Sequence, residues 1–283
     1  MLVGTLGVIA ALVAAGGAAV AVQNARFRRR VAAEVRALFE CGGEGRAADA
    51  AALARLPAPV RRYVEVSGAA AHRPVRTAWL RHGGFLRTSL EGRWFAIRGV
   101  QAFTADPPGF VWWGRVRAAP GVWIDARDRS EAGEAGFLVR LASTITLAEA
   151  HGREFDEGAL MRVLGELTWL PTAYLDDRWI SWEPVDETSA RATLRVSSRV
   201  VSVTFRFGPD GLPEELAALR YRDVKGQGVL TPWTARCGDF REVDGLRVPF
   251  RVESIWHVDG RACPVIRFTV ERLDLDAVER TLP

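Results

Sequence analysis

The sequence predicts an α+β fold: a curved, largely antiparallel sheet of about ten strands, a half-barrel around a central helix, preceded by N-terminal helices and one transmembrane helix. Three observations predict it. From about His72 onward, period-two apolar runs are split by Asp-Gly pairs; one apolar-striped helix lies among those runs; and the first 25 residues carry no charged side chain.

The N-terminal stretch comes first. Leu2 to Val22 is continuously apolar or small. At 1.5 Å per residue it spans about 31 Å, against a bilayer core of about 30 Å. No basic residue precedes it and it exceeds a signal-peptide core, although Ala19-Val20-Ala21 has the form of a cleavage triplet, so cleavage or export stays open. Arg26, Arg28, Arg29 and Arg30 follow directly. By the positive-inside rule they place the body in the cytoplasm, held against the inner leaflet by a single-pass anchor. Phe27, Val31, Val35, Leu38 and Phe39 then form one helical stripe, which fits either a helix lying on anionic lipid or one packed on the domain. Cys41-Gly42-Gly43-Glu44-Gly45 reads as a flexible break. The expected division is an anchor over 1–25, a juxtamembrane helix and linker over 26–45, and one α+β domain over 46–283.

Two short helices open the body, near Ala47 to Arg55 and from Pro59 to about Gly68, the second with Val60, Tyr63 and Val64 on one face. Strands follow. Val201, Val203, Phe205 and Phe207 alternate with polar residues, as do Val248, Phe250, Val252, Ser254, Trp256 and Val258 with charged ones, the mark of half-buried strands. Asp210-Gly211, Asp244-Gly245 and Asp259-Gly260 supply turns that join them as antiparallel hairpins. Among the strands, Asp156 reads as the N-cap of a helix striped by Leu160, Met161, Val163, Leu164 and Leu167 and ended by Pro171. A sheet curled around one helix of this length predicts a pocket of at least about 300 Å³ between them.

Composition excludes several classes. Of 38 basic residues only Lys225 is a lysine, and net charge is +4, which the four clustered arginines account for. The rest of the body is near neutral, without the basic stripe that nucleic acid requires. Cys41, Cys237 and Cys263 are too few for a disulfide framework and read as free thiols, with a Cys237–Cys263 bridge as the alternative. With four scattered histidines, no metal-ligand spacing occurs. No P-loop, dinucleotide fingerprint or nucleophile elbow is present. No cofactor, metal or catalytic residue is therefore assigned.

Candidate binding residues come from strands that are apolar on both faces. Trp94, Ala96, Val100 and Ala102 oppose Phe95, Ile97 and Phe103, while Phe110, Trp112 and Val116 oppose Val111 and Trp113. Such strands must be covered twice, by helices or by a ligand. All ten tryptophans lie between Trp79 and Trp256, and indole suits both a large core and a pocket wall. The candidates are Trp94, Phe110, Trp112, Leu160, Leu164 and Trp169 as walls, with Arg98 and Gln101 for a polar head group. Glu166 is either a buried functional carboxylate or the partner of Arg162 one turn earlier.

Several local patterns together resemble a family of uncharacterised, membrane-anchored bacterial proteins, a domain of unknown function. They are Leu56-Pro57-Ala58-Pro59-Val60-Arg61-Arg62-Tyr63, Trp94-Phe95 with Gln101, Pro108-Gly109-Phe110-Val111-Trp112, Arg127-Asp128, Glu166-Leu167 with Trp169-Leu170-Pro171-Thr172-Ala173, Trp182-Glu183 and Gly245-Leu246-Arg247-Val248-Pro249. Ala96 departs from that pattern, which favours proline there. The family brings no activity. In architecture alone, a curled sheet covering helices resembles the lipoprotein-carrier fold, whose members bind acyl chains in the half-barrel. The expected function is non-catalytic, membrane-anchored binding of a hydrophobic or acyl-bearing ligand, a membrane lipid or a hydrophobic small molecule. The alternatives are an enzyme acting on a membrane-derived substrate with Glu166 or His151 as acid/base, and a structural or partner-binding module.

Overall fold

The computed structural model describes residues 2–47 and 50–278, with the side chains of 2–10 and 13 outside that description. Among the described residues thirteen strands, rather than about ten, form one sheet. In chain order they are β1 (Thr77–Leu86), β2 (Phe95–Ala105), β3 (Pro108–Ala119), β4 (Val122–Glu131), β5 (Glu134–Leu141), β6 (Ile145–Ala150), β7 (Ile180–Pro184), β8 (Ser189–Val196), β9 (Arg199–Phe207), β10 (Pro213–Val224), β11 (Gln227–Val243), β12 (Leu246–Val258) and β13 (Arg261–Leu275).

Every neighbouring pair is antiparallel. The spatial order runs from β6 back to β1, then from β13 back to β7. First and last strands thus meet in the middle, and β6 and β7 are the two edges. The chain between those edges has to cross a face of the sheet. It does so as helix α4 (Arg153–Glu166) and two 3₁₀ turns, Leu167–Trp169 and Pro171–Leu175. α4 packs on β3–β5 from one flank and on β8–β10 from the other, so the sheet curls around it.

Turn chemistry explains the hairpins. Asp244-Gly245 and Asp259-Gly260 have positive φ at both residues, 48° and 81°, then 50° and 73°, as two-residue hairpin turns require. α4 starts three residues before its expected cap. Gly152 takes the N-cap position, and Asp156 is instead buried in the first turn. Its carboxylate accepts bonds from the Ala135 backbone N–H at 2.9 Å and Arg199 Nη2 at 2.8 Å, fastening the helix to both flanks.

The two-sided strands are covered twice by protein. Ile97, Phe103, Phe110 and Trp112 face α4 in the main core, together with Leu160, Leu164 and Trp169. That core is closed at one end by α3 (Ala58–Val66), whose Val60, Tyr63 and Val64 are fully buried; α2 (Ala50–Arg55) precedes it. Trp79, Val100, Ala102, Val111, Trp113 and Leu138 face the other way, into a second cluster with Phe27, Val31, Val35 and Leu38.

Those four belong to α1, a single helix over Leu2–Cys41. Its apolar stripe lies on the convex face of the sheet, each large side chain contributing about 1.5–3 kcal/mol on burial. This settles the stripe as domain packing rather than lipid contact. The transmembrane helix expected over 2–22 is not shown. Among the described residues no helix is long and apolar enough to cross a membrane, and much of that expectation falls on side chains outside the description. The break after Cys41 is tied down: Gly43 N–H donates to Asp106 O at 2.6 Å, and Arg76 reaches the Gly42 and Gly43 carbonyls. All three cysteines are free. β12 lies between β11 and β13, which keeps Cys237 and Cys263 apart.

Candidate functional site

The concave face carries a charged cluster inside an apolar wall. Arg162, on the third turn of α4, points at the sheet. Its Nε donates to Glu166 Oε1 at 2.8 Å, its Nη1 to Asp128 Oδ2 on β4 at 2.7 Å and its Nη2 to Gln101 Oε1 on β2 at 2.8 Å. Gln101 Nε2 closes the ring on Glu166 Oε2 at 2.6 Å. The guanidinium also sits over the rings of Phe110, at 4.4 Å, and Trp112, at 5.6 Å.

Electrostatics follow from this geometry. Burial alone would lower the Arg162 pKa, but the two carboxylates outweigh it and raise it. Burial raises the Asp128 carboxyl, with Arg162 pulling the other way. Arg220, on β10, lies over Trp233 at 4.6 Å and donates to Gly158 O on α4 at 2.8 Å. Burial, then Arg162, lower it to about 10. His82 on β1 is 1% exposed. It accepts from Trp112 Nε1 at 2.8 Å and stacks on Phe268 at 4.0 Å. Burial first, then the charge of Arg162, push it down to about 3, so it is a neutral acceptor.

The candidate residues separate into groups. Gln101, Phe110, Trp112 and Glu166 converge on Arg162. Leu160 and Leu164 are fully buried on α4, and Trp169 donates to Pro249 O at 2.8 Å and packs on Phe103. Arg98 is three positions from Gln101, so in a strand it faces the opposite side, where it is exposed. Trp94 lies outside the cluster, half-buried between the guanidinium groups of Arg87 and Arg267 at 5.0 and 4.8 Å. Asp128, His82 and Arg220 were not among the candidates. A carboxylate in a buried strand position was the available signal for Asp128, already present in the Arg127-Asp128 pattern.

Beneath α4, where a pocket was expected, lie the side chains of Arg162, Gln101, Glu166, Phe110 and Trp112. Two cavities among the described residues lie elsewhere than between α4 and β2–β3. The larger, about 160 Å³, is lined by Leu56, Tyr174, Leu175, Ile180 and Trp182 beside the β7 edge, and includes none of the candidates. Open apolar surface lies further along the concave face, where Leu86, Phe95, Val252, Trp256 and Phe268 pack on the core yet stay half-buried.

Both oxygens of Glu166 are engaged, while His151 is exposed before the other end of α4, about 20 Å away at 1.5 Å per residue. Among the described residues no group of acidic, histidine and cysteine side chains could hold a metal ion.

Several solved structures are similar to this chain. A putative outer membrane lipoprotein-sorting protein domain from Vibrio parahaemolyticus is 9% identical over 76% of this chain and 93% of its own, with a TM-score of 0.38. A LolA superfamily protein from Nitrosomonas europaea is 11% identical over 78% and 94%, with a TM-score of 0.35. A β-barrel-like protein of another domain of unknown function, from Brucella abortus, is 14% identical over 71% and 98%, with a TM-score of 0.30. No curated protein matches the chain. The model of a family of unknown function, DUF6544, matches residues 46–268, and the chain belongs to that family.

Proposed function

We propose that this protein is a non-catalytic, membrane-anchored binding protein that holds a hydrophobic or acyl-bearing ligand on the concave face of its half-barrel. One observation carries the reading: α4 rests on the two flanks, and the central strands retain a half-buried apolar floor of Leu86, Phe95, Val252, Trp256 and Phe268. Such a floor gains from covering at roughly 25 cal/mol per Å². The candidates Phe110, Trp112, Leu160, Leu164 and Trp169 form the packed wall from which this floor extends. The uncharged stretch Leu2–Val22 followed by Arg26, Arg28, Arg29 and Arg30 supports an anchor in the bacterial inner membrane, with the body in the cytoplasm.

A second reading, a partner-binding module, is favoured by the side chains that lie beneath α4. Titration with a long-chain fatty acid and with a phospholipid, read by tryptophan fluorescence, separates the two. Ligand binding predicts a saturable shift that Leu86→Asp, a change outside the Phe268–His82 stack, abolishes while the far-UV circular dichroism spectrum stays that of the folded protein. No shift with either lipid would discard the ligand reading and leave the partner-binding module.

A further inference from the structure

The uncharged half of α1 leads straight into the folded body. Residues 11 and 12 and 14–22 are exposed nearly throughout, Leu12 at 68% and Val22 at 49%, whereas Phe27 is buried. The changeover falls at Asn24. Its Oδ1 accepts from Arg115 Nη2 at 2.7 Å and lies 3.1 Å from Ser143 Oγ. Both partners converge on the fully buried Asp125, which takes Arg115 Nε, Ser143 Oγ and the indole N–H groups of Trp113 and Trp123. The helix is therefore bolted to one corner of the sheet, where the β3–β4 and β5–β6 turns meet.

That corner has an unusual surface. Val122 at the β3–β4 turn is 39% exposed; Ile145 and Leu147 on the edge strand are 59% and 52% exposed. Arg117, paired across the hairpin with Trp123, is exposed, as are Arg26 and Arg29 on the adjoining helix turn. Exposed aliphatic side chains and arginines, with the half-buried indole of Trp123, match the composition of a membrane–water interface. Position matches too. Asn24 is only about 3 Å of helix rise beyond Val22, so a bilayer that takes up the uncharged stretch ends at this corner.

We propose that the corner formed by Arg117, Val122, Trp123, Ile145 and Leu147 is a membrane-docking surface for anionic phospholipid, holding the half-barrel at a fixed attitude to the bilayer. This rests on the membrane-anchored reading above. α1 joins anchor and body without a break, so the body does not swing on a tether. Arginine charge attracts anionic head groups near the surface, and the aliphatic side chains enter the interfacial layer.

The test uses the full chain in liposomes of phosphatidylcholine and phosphatidylglycerol, with p-benzoylphenylalanine replacing Ile145 and, as control, Val200. Val200 is equally exposed, at 57%, but belongs to the β8–β9 hairpin, whose turn lies beside Gly133 at the other end of β4. Flotation reports the anchor; photocrosslinking to lipid reports the docking surface. Expected is co-flotation of both proteins with at least about fivefold more lipid adduct at 145 than at 200, falling when Arg117→Glu and Val122→Asp are added. Co-flotation with equal adducts at both positions would overturn the docking surface and leave the anchor standing. Failure to float would overturn the anchor and the docking surface with it.

Discussion

Arg162 on α4 and Asp128 on β4 are joined at 2.7 Å between Nη1 and Oδ2, with 19% and 12% of their side chains exposed. This contact makes the helix and one flank of the sheet a single unit. It also makes the pair unequal to its parts, because either partner left alone is a charge held out of water.

Removing Arg162 strands two carboxylates. Arg162→Met should lower stability by about 3–5 kcal/mol, the usual cost of breaking a buried ion pair from one side. Asp128→Asn leaves Arg162 its bonds to Glu166 and Gln101 and should cost about 1–3 kcal/mol. Glu166→Gln should exceed the 0.2–0.5 kcal/mol typical of an exposed helix pair, since Gln101 also loses a charged acceptor. Chemical denaturation of the three variants gives the order directly. Equal small losses in all three would show that the cluster is not a structural tie.

His82 sets an acid limit. Its pKa is about 3 in the folded protein against an ordinary 6.5, so the unfolded chain binds the extra proton between those values. Its contribution is complete above pH 6.5 and is lost as pH falls toward 3, with a slope of up to about 1.4 kcal/mol per pH unit. His82→Gln offers Trp112 an acceptor that does not titrate. Stability measured from pH 7 to 4 should fall less steeply in the variant than in the parent. Parallel curves would mean that His82 is solvated or charged in the folded state.

Much of this was legible in the sequence, within limits. Side-chain parity along β2 and β3 correctly separated Phe103, Phe110 and Trp112 from Val100, Val111 and Trp113, because period two is a property of the strand alone. Strand number was not legible. Ala132-Gly133 and Lys225-Gly226 make turns with positive φ at both residues, and Ser197 makes another, none with the aspartate that marks Asp244-Gly245. The Arg162–Glu166 contact is local and readable from a one-turn spacing. The Asp128 and Gln101 contacts depend on how the edge-to-edge crossing lays α4 over the sheet, which no local spacing encodes. The stripe Phe27–Leu38 was legible as amphipathic, but what it covers was decided by two-sided strands far along the chain.

That stripe can be tested by cavity formation. Phe27 is 3% exposed in the convex-face cluster that also holds Val100 and Trp113. Phe27→Ala should cost about 3–5 kcal/mol, as for other buried Phe truncations, and should lower the melting temperature of the whole body. A loss below about 1 kcal/mol would mean that α1 is peripheral to the fold.

The proposed cytoplasmic placement of the body can be tested with Cys41 as reporter. It ends α1 and is exposed, while burial pushes the Cys237 thiol up to about 12 and keeps it from forming the reactive thiolate. Cys263 is half-buried on β13, and Cys263→Ser removes it as a second reporter. With the arginine cluster retained inside, a membrane-impermeant maleimide should leave Cys41 unmodified in intact cells and modify it fully after lysis, Cys41→Ser serving as the blank. Labelling before lysis would place the body outside. It would also reverse the orientation drawn from Arg26, Arg28, Arg29 and Arg30, without touching the fold or the Arg162 cluster, since neither depends on which side of the bilayer the chain occupies.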